Sequence, residues 1–124
     1  MNQPNGRSFD LDADVVTYPK TRVETLALAG ITYMRITLEP GWRWSECVGP
    51  ALGMTRCPKH HRGYLLAGRL AVTVNDGEPR EFVAGDVYEF PPGHDAWVVG
   101  DEAVVHLDIV VEAANGAGRD ERDG

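Results

Sequence analysis

Short runs of alternating apolar and polar residues make up most of this chain. In the run 31–38, Met34, Ile36 and Leu38 share one parity while polar residues take much of the other. Successive side chains of a β-strand point to opposite faces, so this alternation indicates a strand with one buried face. Further strand-like runs lie at 15–18, 22–28, 64–74, 80–83, 87–90, 96–99 and 103–111. No run has a convincing pattern for a helix of ordinary length, and the chain is predicted to be all-β.

Glycine and proline separate these runs, as in a protein built of short strands and tight turns. The sequence Asn-Asp-Gly at 75–77 predicts a hairpin turn, and Gly68, within the run 64–74, predicts a bend or bulge. One domain is expected over residues 9–111. Residues 1–8 are expected to be a disordered N-terminus, and residues 112–124, rich in Gly, Ala and charge, a disordered acidic tail.

The charge balance restricts the partners. The 124 residues carry a formal net charge of -7, and such an acidic surface is repelled by phosphate backbones, which argues against nucleic acid. No apolar run approaches the roughly 20 residues that span a bilayer, so no membrane association is expected. The polar start shows no signal peptide, and a cytoplasmic location is expected. Cys47 and Cys57 are too few for a disulfide framework and are interpreted as reduced thiols.

Two signatures in the middle of the chain resemble those of the cupin family. Gly68 matches the glycine that closes the first cupin motif, and Gly85, Asp86, Pro91 and Gly93 match the second motif with its usual spacing. The resemblance covers roughly residues 40–109 and implies the double-stranded β-helix fold, a cupin or jelly-roll barrel. Pro-Gly-Trp-x-Trp at 40–44 and Gly-His-Asp-Ala-Trp-Val-Val-Gly-Asp-Glu at 93–102 are similar to runs in small bacterial cupins of uncharacterised role.

The metal positions that the resemblance implies are altered. Where cupins usually have two histidines, a carboxylate and a last histidine, this chain has Thr55, Cys57, His61 and Ala96. The usual cupin iron or manganese site is therefore not expected, and the favoured expectation is a barrel that binds its ligand without a cofactor. The alternative is a divalent transition metal held by a non-standard set of Cys57, His61 and His94.

Cys57 and His61 are the main candidate site residues. The cupin alignment implies that both point into the barrel, where a thiolate and an imidazole could bind zinc or iron or form a nucleophile–base pair. They could equally be a buried thiol beside a histidine bonded to the backbone. His60 has the opposite strand parity to His61 and is expected to face solvent. His94 is expected in a turn at the barrel rim, either as a functional residue or as a cap of that turn.

Aromatic and acidic residues supply further candidates. Trp42 and Trp44 have the same parity and either pack in the core or line a ligand pocket. His106 and Asp108 share a strand face and could form a dyad, but a surface-facing pair is the favoured interpretation.

Three functions are consistent with these residues. The first is a barrel that binds a small polar or anionic organic molecule through His61, Cys57, His94, Trp42 and Trp44, as a sensor or binding module. The second is an enzyme that uses His61 as an acid–base catalyst or the non-standard metal set. The third is an interaction protein whose barrel mainly dimerises. A homodimer is expected in which the β-rich N-terminal runs pair between subunits, as the resemblance also implies.

Overall fold

A computed structural model describes residues 3–111, and β-strands dominate it. Three four-residue helices accompany nine strands within this range. The elements are α1 (Phe9–Asp12), β1 (Asp14–Tyr18), β2 (Thr21–Leu28), β3 (Ile31–Leu38), α2 (Trp44–Cys47), α3 (Gly49–Leu52), β4 (His61–Ala67), β5 (Arg69–Val74), β6 (Arg80–Val83), β7 (Val87–Phe90), β8 (His94–Val98) and β9 (Val104–Val111). The prediction of an all-β domain is confirmed. The predicted tail at 112–124 lies outside the described residues.

The strands form two antiparallel sheets. One has six strands in the order β1-β2-β3-β9-β4-β7, and the other has three in the order β6-β5-β8. The last long strand, β9, lies between β3 and β4, so the C-terminal part of the domain is at the centre of the larger sheet. Buried residues from both sheets form one apolar core, which includes Leu38, Leu65, Leu70 and Val98.

The turns follow the predicted chemistry. Asn75 and Asp76 adopt positive φ angles of 52° and 59°, as the hairpin turn after β5 requires. Gly68 has a φ of 83°, and the register of β4 on β9 shifts just before it, between Leu65 and Ala67. A Cβ at Gly68 would lie 2.6 Å from the carbonyl oxygen of Ala103, which explains why glycine is needed at this predicted irregularity.

The N-terminal segment and the region after Trp42 contain the three short helices, which the alternating pattern did not predict. Ser8 caps α1 by accepting a hydrogen bond from the backbone N–H of Asp10, and Arg7 donates to the carbonyl of Ala27 at 2.7 Å. The predicted loop at 48–54 contains α3, which ends at Gly53 in the left-handed conformation that favours glycine. Within residues 3–111, none of the three helices is long and apolar enough to cross a membrane.

Candidate functional site

The barrel contains a cavity of about 330 Å³ that is open to solvent at one end. Its interior is largely apolar, with side chains from β2 and β3 on one side and Trp42 and Trp44 on another. Residues at its mouth are at least partly exposed, and they include Val16, Pro58 and Lys59. Its volume is at the lower end of the range found for ligand pockets, which indicates a small occupant.

Cys57 is fixed in this cavity by backbone pairing with the start of β8. Its N–H donates to the carbonyl of His94 at 2.9 Å, and its own carbonyl accepts from the N–H of Gly93 at 2.8 Å. This isolated bridge places Cys57 directly opposite His94, although 37 positions separate them in the sequence. Both residues are only 3% exposed.

His61 is the first residue of β4 and completes the cluster. Its Nε2 lies 3.5 Å from the Sγ of Cys57. One ligand atom from each of Cys57, His61 and His94 can be chosen so that all three atoms lie within 4.8 Å of one another. We call these three residues the Cys-His-His cluster.

The Nδ1 atoms of both histidines in the cluster have other partners. His61 Nδ1–H donates to Asp108 Oδ2 at 2.6 Å, and His94 Nδ1–H donates to the carbonyl of Pro91 at 2.7 Å. These bonds fix each ring and leave each Nε2 without its proton in the neutral tautomer. A histidine that binds a metal is commonly held in this way by a carboxylate or a backbone carbonyl.

Asp108 anchors a buried polar network behind His61. Its Oδ1 accepts a short hydrogen bond from the hydroxyl of Tyr88 and lies 3.3 Å from Nδ1 of His106. The Nδ1 of His106 is also 2.8 Å from the Tyr88 oxygen and can donate to it. Asp108 is 1% exposed, so these donors replace the water that a carboxylate would otherwise bind.

The close approach of Tyr88 to Asp108 depends on Gly63. Gly63 pairs with both residues across β4, and it lies between their strands. A Cβ there would lie 2.6 Å from the Tyr88 hydroxyl and 1.9 Å from the carbonyl oxygen of Leu107. The missing side chain at Gly63 therefore makes room for the Tyr88 hydroxyl in the network and does not enlarge the cavity.

The charges in this network support each other. Burial disfavours the His61 imidazolium, but attraction to the Asp108 carboxylate outweighs this effect and raises the pKa of His61 to about 10. Burial likewise disfavours the Cys57 thiolate, but hydrogen bonds from His61 and His94 lower the pKa of Cys57 to about 6. Despite burial, the charge of His61 holds the pKa of Asp108 well below its usual range. Without a metal, Cys57 and His61 therefore form a thiolate–imidazolium pair at neutral pH.

The structure corrects the interpretation of β9. His106 and Asp108 were expected to face solvent, and this expectation is wrong, because they are 5% and 1% exposed and their strand turns them inward. The alternating residues Val105, Leu107 and Ile109 lie on the outer face and are partly exposed. Both faces of β9 thus carry apolar residues, and the pattern of alternation alone assigned the wrong face.

His94 also differs from the expected rim position. It is buried, its Nδ1 caps the turn by bonding to Pro91, and the residue also belongs to the Cys-His-His cluster. The two roles considered for His94 are therefore compatible. Of the metal positions that the cupin resemblance implies, Thr55 is exposed, whereas Ala96 lines the cavity two residues after His94 on the same strand.

The remaining candidates divide between the cavity and the surface. Trp42 and Trp44 both line the cavity and are 5% and 8% exposed, and the indole N–H of Trp42 donates to the hydroxyl of Thr21 at 2.8 Å. His60 lies outside the cavity, where its Nε2 is 2.6 Å from Glu89. Tyr88 is a member of the network that the sequence did not predict, although its parity with Phe90 in β7 could have indicated that it points inward.

Comparisons with known proteins agree with this fold. Residues 52–107 match the family described as the EutQ-like cupin domain. No curated protein matches the chain significantly.

Solved structures supply three relatives in fold. An RmlC-like cupin family protein with a double-stranded β-helix fold from Methanocaldococcus jannaschii is 14% identical, with 88% of this chain and 90% of that chain covered and a TM-score of 0.55. A cupin-like protein from Thermotoga maritima is 19% identical, with 83% of each chain covered and a TM-score of 0.53. Oxalate decarboxylase from Bacillus subtilis is 25% identical, with 77% of this chain but only 26% of that chain covered and a TM-score of 0.54.

The family match lies over the strands that carry the Cys-His-His cluster, and the structural matches cover most of the barrel. The chain therefore carries a domain of the cupin superfamily, with the double-stranded β-helix fold.

Proposed function

We propose that Cys57, His61 and His94 bind one transition-metal ion of the zinc or iron type, and that this ion binds a small organic ligand in the cavity. The observation that carries the proposal is the orientation of the two imidazoles. Their Nδ1 atoms are bonded to Asp108 and to Pro91, so Nε2 is the nitrogen of each ring that remains available as a ligand beside the Cys57 sulfur.

The donor set fits such an ion. Thiolate and imidazole are preferred ligands of zinc and are common on iron. With bond lengths of about 2.3 Å to sulfur and 2.0–2.1 Å to nitrogen, two ligands of a tetrahedral zinc ion lie about 3.6 Å apart. The Cys57 Sγ and His61 Nε2 atoms lie 3.5 Å apart. Three protein ligands leave a fourth position, as is usual for a catalytic rather than a structural zinc site.

The chain's own residues have separate tasks in this proposal. Asp108 orients His61 and partly balances the charge of the ion, and Tyr88 and His106 hold Asp108. The apolar lining, including Trp44, excludes water from most of the cavity. A bound zinc or iron would polarise a ligand oxygen or activate a bound water molecule. The site thus supports either ligand binding, as in a sensor, or catalysis.

A zinc titration against a competing chelator tests this proposal. The variants Cys57→Ser and His94→Ala are expected to weaken zinc binding at least tenfold, because each removes or weakens one of three ligands. His60→Ala is the matched control, since His60 neighbours His61 but bonds to Glu89 outside the cavity. Equal zinc affinity in all of these proteins would contradict the proposal.

A second candidate function rests on the same geometry without a metal. Asp108 Oδ2, His61 and Cys57 Sγ are arranged in series, with contacts of 2.6 Å and 3.5 Å, as in a nucleophile–base–orienter triad. In this function His61 acts as the acid–base group and Cys57 as the nucleophile. The metal site is favoured because it uses all three residues of the Cys-His-His cluster as ligands, whereas the triad needs only Cys57 and His61 from it.

We also propose that the chain forms a homodimer through β1. This strand pairs only with β2 among the described strands, so its other edge is open. Val15 and Val16 on it are 45% and 51% exposed, and an open apolar edge is prone to pair with a second chain. Sedimentation should show a dimer at micromolar concentration, and a monomer throughout would refute this assembly. The expected cytoplasmic location stays a prediction.

A further inference from the structure

The lining of the cavity differs in its charged residues from the chain as a whole. The chain has a net charge of -7, yet no Asp or Glu is found among the described residues that line the cavity. The titratable groups that do line it include Lys59, the histidines His61, His94 and His106, and the Cys57 thiol that pairs with His61. Asp108 lies behind His61 and is already bonded to it. The cavity is therefore suited to an anion rather than to a cation.

Lys59 is available to such an anion. It is partly buried at the mouth of the cavity, and it makes no ion pair with another residue described by the structure. Because no carboxylate of the described residues competes for its ammonium group, Lys59 can pair with an anionic ligand, and a partly exposed pair of this kind adds modestly to binding. The other lysine of the chain, Lys20, is exposed and lies outside the cavity.

The rest of the cavity requires an apolar ligand body. Apolar side chains make up most of the lining between the mouth and the Cys-His-His cluster, and they include Val23, Met34, Ile36, Trp44 and Leu70. Water occupies about 30 Å³ per molecule, so a cavity of about 330 Å³ suits a molecule of roughly ten non-hydrogen atoms. A strongly polar ligand of this size, such as a sugar, would leave most of its hydroxyls without partners against this lining.

We infer that the cavity binds a small monocarboxylate with an apolar chain or ring. This inference rests on the proposed metal site. A divalent ion held by one thiolate and two neutral imidazoles keeps one positive charge, which a single carboxylate neutralises at the open position. The apolar body then fills the cavity, and Lys59 contributes a second positive charge near its mouth.

Calorimetric titration with octanoate and its uncharged analogue 1-octanol tests the inference. The two probes have similar length and differ in the head group. Zinc-loaded protein is expected to bind octanoate at least tenfold more tightly than 1-octanol. Lys59→Gln is expected to weaken octanoate binding about twofold to fivefold, as for a partly exposed ion pair, and to leave 1-octanol binding unchanged. Lys20→Gln is the matched control and should bind both probes as the parent does.

The outcomes separate this inference from the proposed function. If zinc binds at Cys57, His61 and His94 but octanoate does not bind, or binds no better than 1-octanol, the carboxylate inference is wrong and the metal site stands. If octanoate binds equally well to zinc-loaded and zinc-free protein, the carboxylate is not at the metal, and the inference is wrong in that form. If zinc does not bind at all, the proposed function fails first, and a metal-directed carboxylate site fails with it.

Discussion

Replacing Asp108 with asparagine tests the link between the buried network and the Cys-His-His cluster. The substitution keeps the size of the side chain but removes its charge and converts one of its two oxygens into a donor amide. In the parent, one oxygen accepts from His61 and the other accepts from Tyr88. An asparagine can accept from only one of these donors, so the amide must face the other.

The loss of zinc affinity depends on which of two orientations the asparagine amide adopts. If the remaining oxygen faces His61, the ring keeps its orientation and loses only the attraction of the carboxylate. If the NH2 group faces His61, the ring must turn or change its tautomer, and Nε2 no longer faces the cluster unprotonated. Loss of such an outer partner typically weakens metal binding 10-fold to 100-fold, or about 1.4 to 2.8 kcal/mol. We expect the zinc affinity of Asp108→Asn to fall within this range.

The metal-free variant should also be less stable than the metal-free parent. In the parent, His61 and Asp108 form a buried charged pair, and removing one partner of such a pair costs about 3 kcal/mol or more. Urea unfolding at neutral pH measures this loss.

Glu24→Gln supplies the matched control for the substitution of Asp108. Glu24 is also a buried carboxylate, at 4% exposed, but it is bonded to Arg35 outside the cavity. The Glu24→Gln variant should be less stable than the parent but should bind zinc with the same affinity. If Asp108→Asn binds zinc as tightly as the parent, or if Glu24→Gln weakens zinc binding equally, the proposed role of Asp108 is refuted.

Two other predictions follow from the same site. Gly63→Ala should destabilise the protein by about 3 kcal/mol in urea unfolding, because its Cβ would collide with the Leu107 carbonyl and the Tyr88 hydroxyl, and unchanged stability would show that this contact is wrong. In a Cys47→Ala background, alkylation of metal-free Cys57 by iodoacetamide should rise with pH around a midpoint near pH 6, because the thiolate is the reactive form and the pKa of Cys57 is lowered to about 6. A midpoint near pH 8.5, the value of a free thiol, would contradict the contacts with the histidines, and zinc should suppress the reaction.

The sequence predicted the architecture because strand parity, turn residues and family motifs all agreed. Met34, Ile36 and Leu38 share the inner face of β3, as their alternation indicated, and Gly68 accompanies a change of register. These features depend on local pattern, which a single sequence contains.

The site could be predicted only in part, because it depends on contacts between distant strands. Cys57 lies opposite His94 because of one isolated β-bridge outside the regular strand pairing. His61 contacts Asp108 only because β4 pairs with β9. The face of Asp108 was assigned wrongly because Leu107, its apolar neighbour, lies on the outer face of a central strand. A buried carboxylate beside an outward leucine reverses the usual rule of burial, and this arrangement is stable because Tyr88, His61 and His106 surround the carboxylate with donors.

The central claim is that Cys57, His61 and His94 hold a metal ion. The most direct measurement is elemental analysis of the protein purified without an affinity tag, together with Cys57→Ser, His94→Ala and the control His60→Ala. The parent and the His60 variant are predicted to contain about one zinc or iron ion per chain, as expected for a single three-ligand site, and the two cluster variants much less. A parent that contains no transition metal, and that takes up none when zinc is supplied, would contradict the claim.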